Sequence, residues 1–570
     1  MRKKLTKTPS KTQTSRSSWW KGGVIYQVYP RSFCDSNNDG VGDLPGITQQ
    51  LEYIASLGVD AIWISPFFTS PMRDFGYDIS DYRSVDPLFG KLADFDRLIA
   101  KAHRLNLKVI IDQVYSHTSD KHPWFIESAS GFDNRRSDWY VWADAKSDGT
   151  PPNNWLSIFG GSAWQWHTTR QQYYLHDFLS EQPDLNLHSK AVQREILNTM
   201  EFWLKRGVDG FRLDACNHYF YDKQLRSNPA ISLSTTRSVH QTNPYGRQRH
   251  VYDKNRPENT AFLSSIRKLL DRYQAVTLAE IGDERPEVII AEYTKGGDKL
   301  HMAYSFNLLT EEYSARHIRN QVQQLYKRAK DAWGCWAVGN HDVARVVTRW
   351  GKQAGVRSES EINSFSRLCC ALVVSLRGSV CWYQGDELGL SEALVPYDLI
   401  QDPVGKVFWP ENRGRDGCRT PIPWSAERIN AGFSGGASTW LPIPSEHRKR
   451  SVDRSERDAD SPLHTFRRIL KWRKGVEVLR SGAIEFLDTP EPILAFVRRE
   501  EASRGGVLCV FNLGAKALRV KLDGEYKGCL EGCGVPEKQI GVLVNGVGGR
   551  WIKLPPFGVF FGGVSEENAT

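Results

Sequence analysis

Short runs of β-branched and aromatic residues recur through the first four hundred positions, and each is followed by a segment whose apolar residues repeat at helical spacing. The strand-like runs are GVIYQVYP (23–30), AIWISP (61–66), KVIIDQV (108–114), GFRLDA (210–215), VTLAEI (276–281), AYSFNL (303–308), CWAVGNH (335–341) and SVCWYQGDEL (379–388). Between them lie amphipathic stretches such as 47–57, 94–105 and 191–206, with Gly58 and Gly207 placed as helix stops. Eight strand-helix units in succession predict an α/β fold, a (β/α)8 TIM barrel.

Three departures from the alternation divide the chain. From Ser116 to about Leu187 the sequence is rich in Trp, Asn, Asp, Ser and Pro, too long for a simple crossover, so 116–187 is expected to be an inserted subdomain after the third strand. A second polar and basic stretch, 219–257, should build part of the rim after the fourth. From about Gly482 the helical period stops and short strands alternate with Gly-rich turns, which predicts a C-terminal antiparallel β-sandwich over 482–570. The barrel then comprises 19–115 and 188–481, preceded by a disordered basic tail, 1–18.

Composition changes this picture little. Apolar residues are 40% and charged residues 25%, values of an ordinary soluble protein. The net charge is +9, but Arg2, Lys3, Lys4, Lys7, Lys11 and Arg16 in the tail supply six of those charges. The folded body is therefore only weakly basic, which argues against nucleic acid as a partner. No run approaches the length of a membrane span, and residues 5–18 are polar where a secretory signal would be apolar, so a cytoplasmic protein without a membrane partner is expected. The ten cysteines are sparse, and Cys369, Cys370, Cys381 and Cys509 sit in apolar runs as buried reduced thiols would.

In such a barrel the chemistry gathers at the C-terminal ends of the strands. Four ends carry carboxylates: Asp112 in IIDQVYSH, Asp214 in GFRLD, Glu280 in TLAE and Asp342 in GNHD. Arg212 and Asp214 are two apart, hence on one face of their strand, and the guanidinium should keep Asp214 ionised as a nucleophile requires. Glu280 follows the apolar run AVTLA, where desolvation should hold its proton and suit it to act as a general acid. Two carboxyls in opposed environments are what glycoside hydrolysis needs.

GFRLD, AEIGD, GNHD and DQVYSH, together with the opening VIYQVYPRSFCDSNNDGVGDLPGI, resemble the α-amylase family of retaining glycoside hydrolases over nearly the whole chain. The QPDLN stretch at Gln182–Asn186 is similar to the bacterial α-glucosidase and oligo-1,6-glucosidase branch. The resemblance implies Asp214 as nucleophile, Glu280 as acid/base and Asp342 as the carboxylate that grips sugar hydroxyls. It implies a pocket for the non-reducing glucose made by Asp74, Tyr77, His117, Arg212, His341 and Arg419, walled by Phe159 and Phe178. Asp74 and Arg419 would clamp the far hydroxyls and close the pocket, which predicts exo action. Where the third-strand motif commonly has Asn before the His, Ser116 stands here and leaves the hydrogen bonding around His117 open. Ala215 occupies the position after the nucleophile where, in this branch, Val accompanies α-1,6 cleavage and Thr or Ala accompanies α-1,4.

The run from Asp35 to Asp43 sets oxygen side chains at alternate positions among glycines. Gly46 falls where an EF-hand has its bidentate Glu, so the loop is not of that type. The resemblance implies a structural divalent cation, Ca2+ or Mg2+, held by Asp35, Asn37, Asp39, Asp43 and the Val41 carbonyl; an Asx-turn loop is the alternative. No organic cofactor is expected. Gly432-Phe433-Ser434-Gly435-Gly436 matches the G-x-S-x-G pattern of serine hydrolases but lacks its strand-to-helix context. The reading is an exo-acting retaining α-glucosidase for maltose-type substrates, with transglucosylation, as monomer or homodimer. The alternatives are a sucrose- or α-1,6-preferring enzyme or glucosyltransferase of the same family, and a non-catalytic binding subunit.

Overall fold

The computed structural model describes residues 18–231, 239, 242–500, 505–522, 526–546 and 549–564. The basic tail expected over 1–18 lies outside the described residues except for Ser18. Each of the eight strand-like runs overlaps a barrel strand: β1 (Val24–Val28), β2 (Ala61–Ile64), β3 (Lys108–Gln113), β4 (Gly210–Leu213), β5 (Val276–Ile281), β6 (Met302–Ser305), β7 (Cys335–Ala337) and β8 (Ser379–Tyr383). All neighbours in this sheet are parallel, and β1 lies between β2 and β8. A single bridge from Ala303 to Gly334 brings β6 to β7 and closes the ring.

The barrel is filled by side chains, as its narrow bore requires. Ile25, Trp63, Ile110, Leu278, Met302, Tyr304 and Cys381 pack into one buried cluster inside it. Outside, a much larger apolar layer joins the strands to helices such as Leu92–Arg104 and Lys190–Leu204. Gly58 and Gly207 follow their helices at φ +84° and +93°, conformations a Cβ would strain, which is why glycine stands there. The stretch expected as one helix, 47–57, is two, Leu44–Gln49 and Leu51–Ser56, broken at Gln50 with φ −94° and ψ 9°.

The region after β3 holds its own three-stranded antiparallel sheet of Trp142–Ala143, Trp164–His167 and Gln172–Leu175. Its chain returns to the barrel through a bridge between His117 and Asp184. Beyond the barrel, a five-stranded and a three-stranded antiparallel sheet share one apolar cluster that includes Leu508, Val510, Ile552 and Phe560, the sandwich that the alternation after Gly482 predicts. All ten cysteines are free, and only Cys529 is not buried. Among the described residues no helix is long and apolar enough to cross a membrane.

Candidate active site

Register brings the strand-end carboxylates together. Arg212 on β4 pairs with Asp112 on β3 and with Leu278 on β5, so Asp214 and Glu280 project from the next inward row, with Tyr304 on β6 opposite Glu280. Arg212 lies beneath them, fully buried over the Trp63 ring. One of its terminal nitrogens, Nη1, donates to Asp112 Oδ1 at 2.9 Å and to Asp214 Oδ1 at 2.6 Å. The other, Nη2, lies 2.7 Å from Glu280 Oε2 and donates to the Tyr304 hydroxyl at 2.9 Å. That hydroxyl in turn donates to Glu280 Oε1 at 3.0 Å.

This corrects the expectation that Arg212 serves Asp214 alone while Glu280 is merely desolvated. Adjacent strands in register place one guanidinium under both groups. Burial raises Asp214 to about 7, Arg212 opposing and Asp112 and Asp342 adding to the rise. Burial likewise raises Glu280 to about 7 against the pull of Arg212. At neutral pH such a pair holds one proton between its members.

Asp342, in the loop after β7, behaves differently. Burial works against its charge, but His341, Arg415, Arg419 and Arg212 outweigh it and hold the carboxyl well below the usual range. Since burial drives His341 down to about 3, the imidazole is neutral and the guanidiniums carry this effect. His341 Nδ1 faces Gln27 Nε2 at 2.7 Å, its Nε2 meets the Tyr77 hydroxyl at 2.6 Å, and that hydroxyl donates to Asp112 Oδ2 at 3.0 Å. The Tyr77 and His341 rings are stacked, which fixes both.

The clamp at the closed end differs from the expectation in its arginine. Asp74 pairs with Arg415, not Arg419, at 2.7 Å, and Arg415 also binds Asp402 at 2.7 Å and Asp342 at 3.3 Å. Arg419 is 1% exposed and sits behind the pocket, donating to the His341 carbonyl at 2.7 Å and to Asp342 Oδ1 at 3.1 Å. Both arginines flank the short turn Asp416–Cys418, and the turn sends only the first into the cavity. Gln182 completes this end, its amide 3.3 Å from Asp74 Oδ2.

Ten of the sequence-predicted residues line one cavity of about 340 Å³: Asp74, Tyr77, His117, Phe159, Phe178, Asp214, Ala215, Glu280, His341 and Asp342. Arg212 and Arg419 lie behind its wall. Ser116 substitutes adequately beside His117, its Oγ 3.0 Å from Nδ1, while Nε2 reaches the Tyr77 carbonyl at 2.9 Å. Burial lowers His117 to about 4, leaving it neutral. Phe178 packs against His117 and Phe159. Sequence reasoning missed Arg415, Asp402 and Tyr304; the first shares the run GRDGCRTP (414–421) with Arg419, and the last lies within the strand-like run 303–308.

The loop Asp35–Asp43 lies apart from the cavity. Asp35 accepts the N–H groups of Asn37, Asn38 and Gly40, at 3.0, 2.7 and 2.8 Å. Asn37 and Asp39 join side chains at 3.0 Å, and Asp43 caps helix Leu44–Gln49 through Gly46 N–H at 2.6 Å. Among the described residues no three His, Cys, Asp or Glu side chains converge as a metal cluster. The donors that remain are carboxylate lone pairs, the Asn37 amide and the Val41 carbonyl, an all-oxygen set that fits a hard cation. Ser434 of the G-x-S-x-G match follows the turn Ile429–Gly432 with no strand before it, and its Oγ accepts from Gly436 N–H at 2.9 Å, so it is a turn residue and not a nucleophile.

Residues 27–482 match the model of the alpha amylase catalytic domain. The chain is 50% identical to a probable alpha-glucosidase of Rhizobium meliloti (strain 1021), covering 98% of this chain and 99% of that protein. It is 35% identical to an oligo-1,6-glucosidase of Heyndrickxia coagulans over 85% of this chain and 91% of the relative. Among solved structures, that of the alpha-glucosyl transfer enzyme XgtA superposes with a TM-score of 0.91 at 52% identity, covering 96% of this chain and 99% of that one. With a barrel of eight parallel strands and three carboxylates meeting at its C-terminal end, these likenesses show that the chain belongs to the alpha-amylase family of glycoside hydrolases.

Proposed function

We propose that this glycoside hydrolase is an exo-acting, retaining α-glucosidase of the cytoplasm, with Asp214 as nucleophile, Glu280 as acid/base and Asp342 as the grip on the sugar hydroxyls. The observation that carries the reading is the cavity itself. Its far end is shut by the Asp74–Arg415 pair, which leaves room for a terminal glucose but not for a chain passing through. Asp214 and Glu280 are bound to the two ends of one guanidinium, a spacing that favours the separation of roughly 5 Å used by retaining enzymes over the wider one that admits a water.

In the first step Asp214 attacks the anomeric carbon and Glu280 gives its proton to the leaving oxygen, forming a covalent glucosyl-enzyme. Glu280, now ionised, takes a proton from water or from an alcohol that attacks the same carbon, which gives hydrolysis or transglucosylation. The donors are short α-glucosides, and Ala215 beside the nucleophile supports an α-1,4 preference. The ten free thiols suit a reducing compartment. We further propose a divalent cation, Ca2+ or Mg2+, at Asp35, Asn37, Asp39, Asp43 and Val41, in a structural role.

Purified protein incubated with maltose, isomaltose or sucrose should release α-glucose first, fastest from maltose, as followed by proton NMR in the opening minutes. Early β-glucose would overturn the double displacement. Release fastest from isomaltose or sucrose would overturn the linkage preference, and no release from any of the three would leave a binding protein.

A further inference from the structure

Two of the ten free thiols stand apart from the rest. Burial raises the other eight above the ordinary cysteine value, Cys34 to about 11 and the remainder further, which keeps them protonated and inert. Cys529 and Cys533 differ because their side chains meet.

Cys529 ends the strand Tyr526–Cys529, at the edge of the five-stranded C-terminal sheet, where it pairs with strand Val559–Val564. Four residues on, after a turn through Gly532 at φ +71°, comes Cys533, only 2% exposed. The turn folds the chain back so that the Cys533 thiol faces the half-buried Cys529 sulfur. Hydrogen bonding from Cys533 brings Cys529 down to about 7 against the effect of burial, and Cys533, which holds the proton, is raised. Near neutral pH a large fraction of Cys529 is therefore thiolate, the form that reacts.

The pair also spans two packing layers. Cys529 packs against the apolar cluster of the sandwich, while Cys533 belongs to the large layer outside the barrel. Gly534, next in the chain, is pressed against helix Pro462–Lys474: a side chain there would come within 2.7 Å of the Arg468 and Ile469 backbone, and Arg468 Nε donates to the Gly534 carbonyl at 3.1 Å. That helix packs on β8 through Phe466 and Trp382. A bond between the two sulfurs would thus tie the edge of the sandwich to a turn already docked on the barrel.

We infer that Cys529 and Cys533 form a peroxide-sensitive dithiol, a modification site in which Cys529 attacks and Cys533 resolves. The Cys529 thiolate attacks one oxygen of hydrogen peroxide and the O–O bond breaks; the departing hydroxide takes the Cys533 proton and leaves as water, with Cys529 now a sulfenic acid. The Cys533 thiolate then attacks the Cys529 sulfur, the S–S bond forms and the S–O bond breaks, and the second hydroxide takes a proton from solvent. Two electrons pass from the sulfurs to the peroxide, and a dithiol reductant reverses the change. Side chains already in contact can be bridged without moving the backbone. The site does not depend on the α-glucosidase reading.

The test exposes the native, reduced protein to hydrogen peroxide, alkylates it in denaturant with iodoacetamide and maps the peptides by mass spectrometry. All ten cysteines should be alkylated before oxidation and eight after it, the missing two being joined as Cys529–Cys533 with the loss of two hydrogens, and dithiothreitol should restore them. Cys533→Ser should form no crosslink and leave a sulfenic acid at Cys529 that dimedone traps. Cys529→Ser should keep all its remaining thiols. On the untreated native protein, limiting iodoacetamide should label Cys529 before any other cysteine. Ten alkylated cysteines after peroxide, a crosslink elsewhere or between two chains, first labelling at another cysteine, or thiol loss in Cys529→Ser equal to that of the parent would each overturn the inference.

Discussion

Asp214 and Glu280 are both pushed to about 7 by burial, and the Arg212 guanidinium between them favours one negative charge on the pair. Acidification adds a second proton and silences the nucleophile; alkalisation removes the proton Glu280 must donate. The rate profile of kcat/KM should therefore be a bell centred near pH 7, its limbs belonging to the pair and not to either residue. With 4-nitrophenyl α-glucoside, whose leaving group needs no proton, Glu280→Gln should abolish the alkaline limb; a limb that survives would assign it to another group. Ala215, beside the nucleophile, sits at φ 38° in the left-handed region. A branched side chain is strained there, so Ala215→Val is expected to cost about 1–2 kcal/mol in denaturant titrations. It should also shift the kcat/KM ratio of maltose to isomaltose toward isomaltose, and an unchanged ratio would remove Ala215 from the linkage argument. The carboxylates were legible in the sequence because Asp112, Asp214 and Glu280 lie at the ends of apolar strand runs and Asp342 in the loop that follows another. Arg415 was not, because Arg415 and Arg419 share one motif, and only the packing of the turn between them decides which guanidinium enters the cavity.

At the scale of elements, the barrel strands were legible because parallel strands covered on both faces read as near-continuous apolar runs. Their ends were not, since Phe306–Leu308 and Asp386–Leu388, which the strand-like runs take in, turn as 3-10 helices. Nor could periodicity show how the C-terminal sheets attach. Arg498, at the end of strand Ile493–Arg499, is fully buried and donates to four backbone carbonyls: Ser375 at 2.6 Å, Leu479 at 3.0 Å, Gly482 at 2.7 Å and Ala483 at 3.1 Å. In ILAFVRR nothing distinguishes it from Arg499. Arg498→Met keeps the bulk and strands those carbonyls, each hydrogen bond to a charged group being worth about 1.5–3 kcal/mol. A loss of about 3 kcal/mol or more is expected, with amide hydrogen exchange accelerating first in strands Ile493–Arg499 and Gly506–Asn512. Unchanged exchange there would mean that apolar packing alone holds the sheet to the barrel.

Across the whole molecule, segments distant in sequence are fastened beside the first barrel strand. Asp35 N–H donates to the Phe433 carbonyl at 2.9 Å, Gly435 N–H to Asn38 Oδ1 at 2.8 Å, and Trp440 N–H to the Gly40 carbonyl at 3.0 Å. The loop Asp35–Asp43 thus pins the chain that follows β8 against the connection that follows β1, where the barrel is sewn shut. Side chains at Gly435 or Gly436 would collide with Asn38, and one at Gly40 with the Ser438 carbonyl, so the GFSGG run is explained as a close-packing surface for this loop. The carboxylates are partly satisfied by their own backbone, yet burial raises Asp43 despite its three hydrogen bonds, so its negative charge is under-compensated. A divalent cation would supply that compensation and hold both segments at once. Protein stripped with a chelator should melt several degrees lower than protein resupplied with Ca2+ or Mg2+, while Asp39→Ala should remove the response without touching the cavity. If stripping leaves the melting temperature where it was, the Asx turns and their docking on 433–440 are sufficient by themselves, and the loop is a hydrogen-bonded latch rather than a metal site.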